Sequence, residues 1–129
     1  MRVLQIGADR SQRGILVPGS AAYQRQKAYA QEIGILDIIG FSRRKDPFVE
    51  TMEETLRTHP TRSLTRFMYG FDALFLATRL PWPDVVSSQD PFETGLVALV
   101  ISRFLQRPLH VQVHTDFLSP AYARLSLIN

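Results

Sequence analysis

Hydrophobic and polar positions alternate in blocks that predict strands and helices in turn. Arg2–Ile6 is a short apolar run closed by Gly7, as expected of an inner strand buried on both faces. Residues 8–19 (ADRSQRGILVPG) are polar and glycine-punctuated, which predicts a loop. Ser20 is a capping residue, and the spacing after it predicts a helix to about Ile33 with Gly34 as its left-handed stop. The apolar face of that helix is thin: Ala22, Tyr29, Ala30 and Ile33. ILDIIGF at 35–41 is rich in β-branched residues and predicts the next strand.

Charges and prolines break up residues 42–63, where 50–58 reads as a short helix or as the approach to a strand near Leu56. Beyond it Leu64, Phe67, Met68, Phe71, Leu74, Phe75 and Thr78 recur at helical spacing, which predicts an amphipathic helix over 64–79 with this stripe against a core. Pro81 and Pro83 end it. Val85–Asp116 then reads as a buried strand, a loop, an apolar helix and a second strand, LHVQVH. Strands alternating with helices predict an α/β fold: a Rossmann-like parallel sheet with flanking helices and right-handed crossovers. Residues 1–129 suffice for a single domain. The final YARLSLIN supplies barely two helical turns, so the expectation is the incomplete front part of a larger fold.

Composition narrows the chemistry. There is no cysteine, which removes disulfide scaffolds, thiolate zinc sites and cysteine nucleophiles and suits a reducing compartment. No apolar run approaches the roughly 20 residues of a transmembrane helix, and Met1 and Arg2 lead directly into a strand without a signal core. The expected location is cytoplasmic. Fifteen Lys and Arg against twelve Asp and Glu give a net charge of +3. Arginines gather at Arg43, Arg44 and Lys45 and at Arg57, Arg62 and Arg66. That grouping reads either as ordinary solvation or as attraction to anionic headgroups or phosphorylated ligands at the inner membrane face.

Parallel strands deliver polar groups to the carboxyl edge of a sheet, where open α/β folds bind ligands. His114 lies at the end of the last strand, before Thr115 and Asp116, and Asp90 follows the preceding strand. Asp90 also reads as a turn initiator that complements a helix dipole. His110 alternates with Gln112 and His114 on one strand face and reads as a histidine packed under a helix; His59, before Pro60, reads as a solvated loop residue. The glycines at 7, 14 and 19 do not have dinucleotide-binding spacing, and neither a Gly-Lys-Ser/Thr phosphate loop nor a Gly-x-Ser-x-Gly elbow occurs. Gly14 and Gly19 ahead of a helix start remain a loose anion cradle. Metal-ligand spacing is confined to the His-x-Asp at 114–116.

SSQDPFETGLVALVISRFLQRPLHVQVHTDFLSP at 87–120, the opening MRVLQIG, the SAAYQRQKAYA helix with Arg25 and Tyr29, and RFMYGFDALFLATRL together resemble the N-terminal domain of family 4 glycosyltransferases, retaining enzymes of the GT-B fold. The resemblance implies the acceptor-side half of an enzyme that moves a glycosyl group from a nucleotide sugar to a hydroxyl acceptor, saccharide or lipid-linked. The donor domain is absent from these residues, so this stretch alone is expected to be inactive. By resemblance His114 would lie beside the donor sugar, polarising it and stabilising charge. Gly14 and Gly19 would fall in the loop near the donor diphosphate, and Asp90, Thr115 and Asp116 would line the cleft. No metal, cofactor or nucleic acid is implied. The alternative from the residues alone is a non-catalytic α/β module that holds a sugar, a lipid headgroup or a protein.

Overall fold

The computed structural model describes residues 1–8 and 14–112. Six strands form one sheet: β1 (Arg2–Gly7), β2 (Ile35–Gly40), β3 (Thr51–Met52), β4 (Leu56–Pro60), β5 (Val85–Ser88) and β6 (Leu109–Val111). Three helices connect them: α1 (Ala21–Ile33), α2 (Tyr69–Arg79), entered through a single 3-10 turn at Arg66–Met68, and α3 (Glu93–Leu105). The spatial order is β3-β4-β2-β1-β5-β6. Every pairing is parallel except the two-residue hairpin of β3 on β4. The fold is therefore α/β and Rossmann-like, as the alternation of elements predicts. Strand order reverses at β1, which has β2 on one side and β5 on the other.

Strand alternation sorts the core into two layers. Val3, Leu36, Ile38 and Leu56 pack with Ala22, Tyr23 and Ala30 of α1 on one face. Leu4, Ile6, Ile39 and Val86 pack with α2 and α3 on the other. The α1 boundaries follow from local chemistry. Ser20 Oγ accepts the Tyr23 N–H (3.0 Å) and donates to Gly14 O (2.7 Å), so one hydroxyl both caps the helix and closes the loop before it. Gly34 stops the helix at φ 125°, where a side chain would also meet Met1 O. Tyr29, expected on the apolar face, is exposed, and Tyr23 takes the buried place.

Two expectations are corrected. The helix begins at Tyr69 after the 3-10 turn, and it turns the other face inward. Tyr69, Ala73 and Ala77 are buried, whereas Leu64, Phe67, Phe71 and Phe75 point out. The small side chains let α2 approach the sheet and α3 closely, and Tyr69 stacks on Phe41 with ring centroids 5.1 Å apart. β3 and β4 form a hairpin, which is the strand alternative near Leu56, and His59 is a strand residue, 3% exposed, instead of a solvated loop residue. Pro60 is tolerated because it is the last strand residue; the ladder resumes with Thr61 N–H donating to Gly40 O (2.9 Å).

Candidate functional site

The switch point between β1 and β5 is closed tightly. A Cβ on Gly7 would lie 2.3 Å from Gln89 Oε1 and 2.7 Å from Ile15 Cδ1, so these side chains cross the tip of β1 in space that any larger residue would make them give up. Ile15 and Leu16 fold back over the ends of β1 and β2 and are buried. Gly14, expected near a diphosphate, is buried and turned inward: its carbonyl accepts from Ser20 Oγ and from Val17 N–H (3.2 Å). Gly19 is exposed at φ 92° with open space beside it, so its task is backbone conformation. The Ser20–Gly14 bond holds both glycines in the turn that leads into α1.

Asp90 follows β5, as expected, and makes the turn into α3. Its Oδ1 accepts the Phe92 N–H (2.8 Å), while its backbone carbonyl accepts from Ser88 Oγ (2.8 Å) and Thr94 Oγ1 (3.4 Å). The turn-forming reading of this aspartate is realised, and the side chain is half-buried. His114, Thr115 and Asp116 lie outside the described residues.

The most developed polar site among the described residues is built from side chains that belong to no motif. On the α1 face, Gln112 Nε2 donates to Gln5 Oε1 (3.0 Å) and to Ser87 Oγ (3.2 Å), and Gln5 Nε2 donates to Gln26 Oε1 (3.3 Å). His110 Nδ1 lies 3.4 Å from Ser87 Oγ. This row crosses β6, β5 and β1 and ends on α1, along the floor of an open groove of about 870 Å³ walled by Arg25, Tyr29 and Glu32. His110 is exposed, not packed under a helix of the described residues. Neutral donors and acceptors in a row suit a ligand rich in hydroxyls or amides. They do not suit acyl transfer: the Ser87–His110 separation exceeds the roughly 2.6–3.2 Å of a working nucleophile and base, and Ser87 is buried. The sequence carries no motif for this row, only a shared strand face. Gln5, Ser87 and Gln112 each interrupt an apolar strand at positions that alternation puts on one face.

Two further polar clusters are structural in character. Asp37, 2% exposed within ILDIIG, takes Arg2 Nε on Oδ2 (2.9 Å) and faces His59 Nε2 with Oδ1 (3.3 Å); His59 Nδ1 faces Glu50 Oε2 (3.3 Å). Asp37 and His59 are buried whereas Glu50 is exposed, so the chain runs from the enclosed sheet out to solvent and gives the buried Asp37 carboxylate its partners. On the opposite face Tyr23 Oη donates to Glu53 Oε2 (2.6 Å), and Lys27 Nζ lies 3.3 Å from Glu53 Oε1. Burial first, then the bond to Glu53, pushes the Tyr23 phenol well up. The same bond, aided by Lys27, holds the Glu53 carboxyl below its usual range.

No group of three or more His, Cys, Asp or Glu side chains among the described residues could hold a metal ion, and no helix among them is long and apolar enough to cross a membrane. Comparison of the chain with protein-family models, with curated proteins and with solved structures found no match.

Proposed function

We propose that this chain is the acceptor-side domain of a retaining, nucleotide-sugar-dependent glycosyltransferase of the GT-B type, acting on a hydroxyl acceptor in the cytoplasm. The observation that carries the reading is the hydrogen-bonded row Gln26–Gln5–Gln112–Ser87 along a groove beside the β1/β5 switch point. Neutral amides at this spacing can accept and donate to sugar hydroxyls while tolerating water exchange. In the sequence His114 comes three residues after the end of β6 and two after Gln112. Its proposed role is to hydrogen-bond the transferred sugar; the donor would be held mainly by a second domain.

The test has two parts. The coding sequence beyond residue 129 should continue into another α/β domain, and an in-frame stop there would exclude transfer by this polypeptide. In the completed enzyme His114→Ala should lower turnover by at least about tenfold with unchanged thermal stability. Unchanged turnover would remove the role given to His114. The groove also favours a second reading, a sugar-binding module without transfer, because among the described residues it contains hydrogen-bonding groups but no nucleophile and base in working geometry. Saturable saccharide binding by residues 1–129, lost in Gln5→Leu/Gln112→Leu, together with the in-frame stop, would select it.

A further inference from the structure

The face that α2 and α3 turn away from the sheet is apolar where a solvated layer would be polar. Phe67, Phe71 and Phe75 step by four residues along the first helix and its entry turn and are 80%, 71% and 55% exposed. Leu96, Val100 and Phe104 step by four along the second and are exposed in the same way. Isolated exposed apolar residues are normal, but two aligned stripes on neighbouring helices are not, and such surfaces mark a binding face.

Charge identifies what that face fits. Arg66, Arg79, Arg103 and Arg107 are exposed along it. Arg79 lies over the Phe75 ring at 4.4 Å, Arg66 over Phe67 at 5.5 Å, and Arg107 over Trp82 at 5.6 Å. At the carboxyl edge the bridge between Arg43 and Ser63 sets the exposed pair Arg44 and Lys45 beside Arg62 and Leu64, so the basic loop runs into the apolar stripe. Opposing them on the outer surface of α2 and α3, among the described residues, is Glu93; Asp72 is half-buried and bonded to Ser63.

We infer that the outer face of α2 and α3 is a membrane-docking surface that lies on an anionic bilayer, its phenylalanines in the headgroup–acyl boundary and its arginines on lipid phosphates. The aromatic rings supply apolar area, and the long guanidinium stems reach outward past them to the charged layer. A second copy fits less well, because a two-fold contact would bring together two faces of the same positive sign. The inference rests on this face alone and stands apart from sugar transfer.

The experiment is flotation of the full chain with vesicles of phosphatidylcholine and of phosphatidylcholine mixed with phosphatidylglycerol. The chain should float with the mixed vesicles, weakly with the neutral ones, and less as salt rises. Trp82, the single tryptophan, is exposed at the end of this face, and its emission should shift to the blue on binding. F67S/F71S/F75S should bind the mixed vesicles at least roughly tenfold more weakly with an unchanged circular-dichroism spectrum. R66E/R79E, which leaves the apolar stripe intact, gives a second reading if the serine variant does not fold, and it too should weaken binding. Absence of vesicle binding by the wild-type chain, equal binding to neutral and anionic vesicles, or binding that neither variant weakens would overturn the proposal. So would a vesicle-free dimer that the serine variant splits.

Discussion

Two helical glycines should respond to alanine in opposite directions, and the difference can be worked from geometry. Gly95 is the third residue of α3, and a Cβ there would lie 2.8 Å from Asp90 O. That contact is backbone, and it is held: the same carbonyl accepts from Ser88 Oγ and Thr94 Oγ1. Relief requires moving the turn or the helix start by several tenths of an ångström. Overpacking of this kind costs about 1–3 kcal/mol, and disturbing the two hydrogen bonds adds up to about 1 kcal/mol each. Against it stands a helix-propensity gain of at most about 1 kcal/mol, smaller near a terminus. Gly95→Ala should therefore be destabilised by about 1–3 kcal/mol. Gly70, the second residue of α2, meets only Val97 Cγ2 at 3.5 Å, an ordinary contact, so Gly70→Ala should gain up to about 0.5 kcal/mol, the interior value reduced near a terminus. For a domain of this size each kcal/mol moves the melting temperature by roughly 3–5 °C. Scanning calorimetry with urea titration measures both. Equal stability of Gly95→Ala and wild type, or destabilisation of Gly70→Ala, would refute the packing described for the β5–α3 turn or for the α2–α3 contact.

Among the described residues Thr58 Oγ1 is buried without a hydrogen-bond partner and shares a strand face with Leu56, so Thr58→Val should stabilise the chain by about 1 kcal/mol, read as a higher urea midpoint at unchanged slope. Destabilisation would mean that the hydroxyl has a partner. The Tyr23–Glu53 bond sets two limbs of the pH profile. The carboxyl is depressed in the folded state, so its contribution is present above the ordinary value near 4.5 and is lost as pH falls through the folded value; Glu53→Gln should flatten that acid limb. The phenol is raised, so its contribution is present below about 10 and lost as pH rises beyond it; Tyr23→Phe should flatten the alkaline limb, and urea unfolding across pH that shows no change in either variant would contradict the pairing.

Much of the scaffold was legible because its signals agree across levels. Strands at 2–6, 35–40 and 85–88 combine apolar runs with β-branched residues, and α1 carries a capping serine and a stop glycine. The orientation of α2 was not legible from periodicity. Phe67, Phe71 and Phe75 form one stripe with a four-residue step, and Tyr69, Ala73 and Ala77 form another. Hydrophobicity selects the first, but close packing on a sheet selects the smaller second set, and packing decided. His59 was misread because its proline suggested a turn, while the acceptors that allow its burial, Asp37 and Glu50, come from distant positions and leave no local pattern. At the site, the Asp-Pro turn was readable from its dipeptide. The glutamine row was not, because glutamines carry no motif; only the shared strand face of Gln5, Ser87 and Gln112 unites them.

The two candidate surfaces constrain each other. The glutamine groove belongs to the α1 face of the sheet, and the phenylalanine stripes belong to the α2–α3 layer on the opposite face. A chain resting on lipid through α2 and α3 would therefore hold the groove away from the bilayer, open to a soluble saccharide. A lipid-linked acceptor would instead have to enter at the carboxyl edge, where Leu64 and the Arg43–Lys45 loop meet the headgroups beside the ends of β2 and β4. That edge is also where the loops after β1 and β5 converge at the switch point. If both proposals hold, anchoring and recognition are separate: substitutions in the groove should alter saccharide binding without changing lipid affinity, because sites on opposite faces that share no partner act additively.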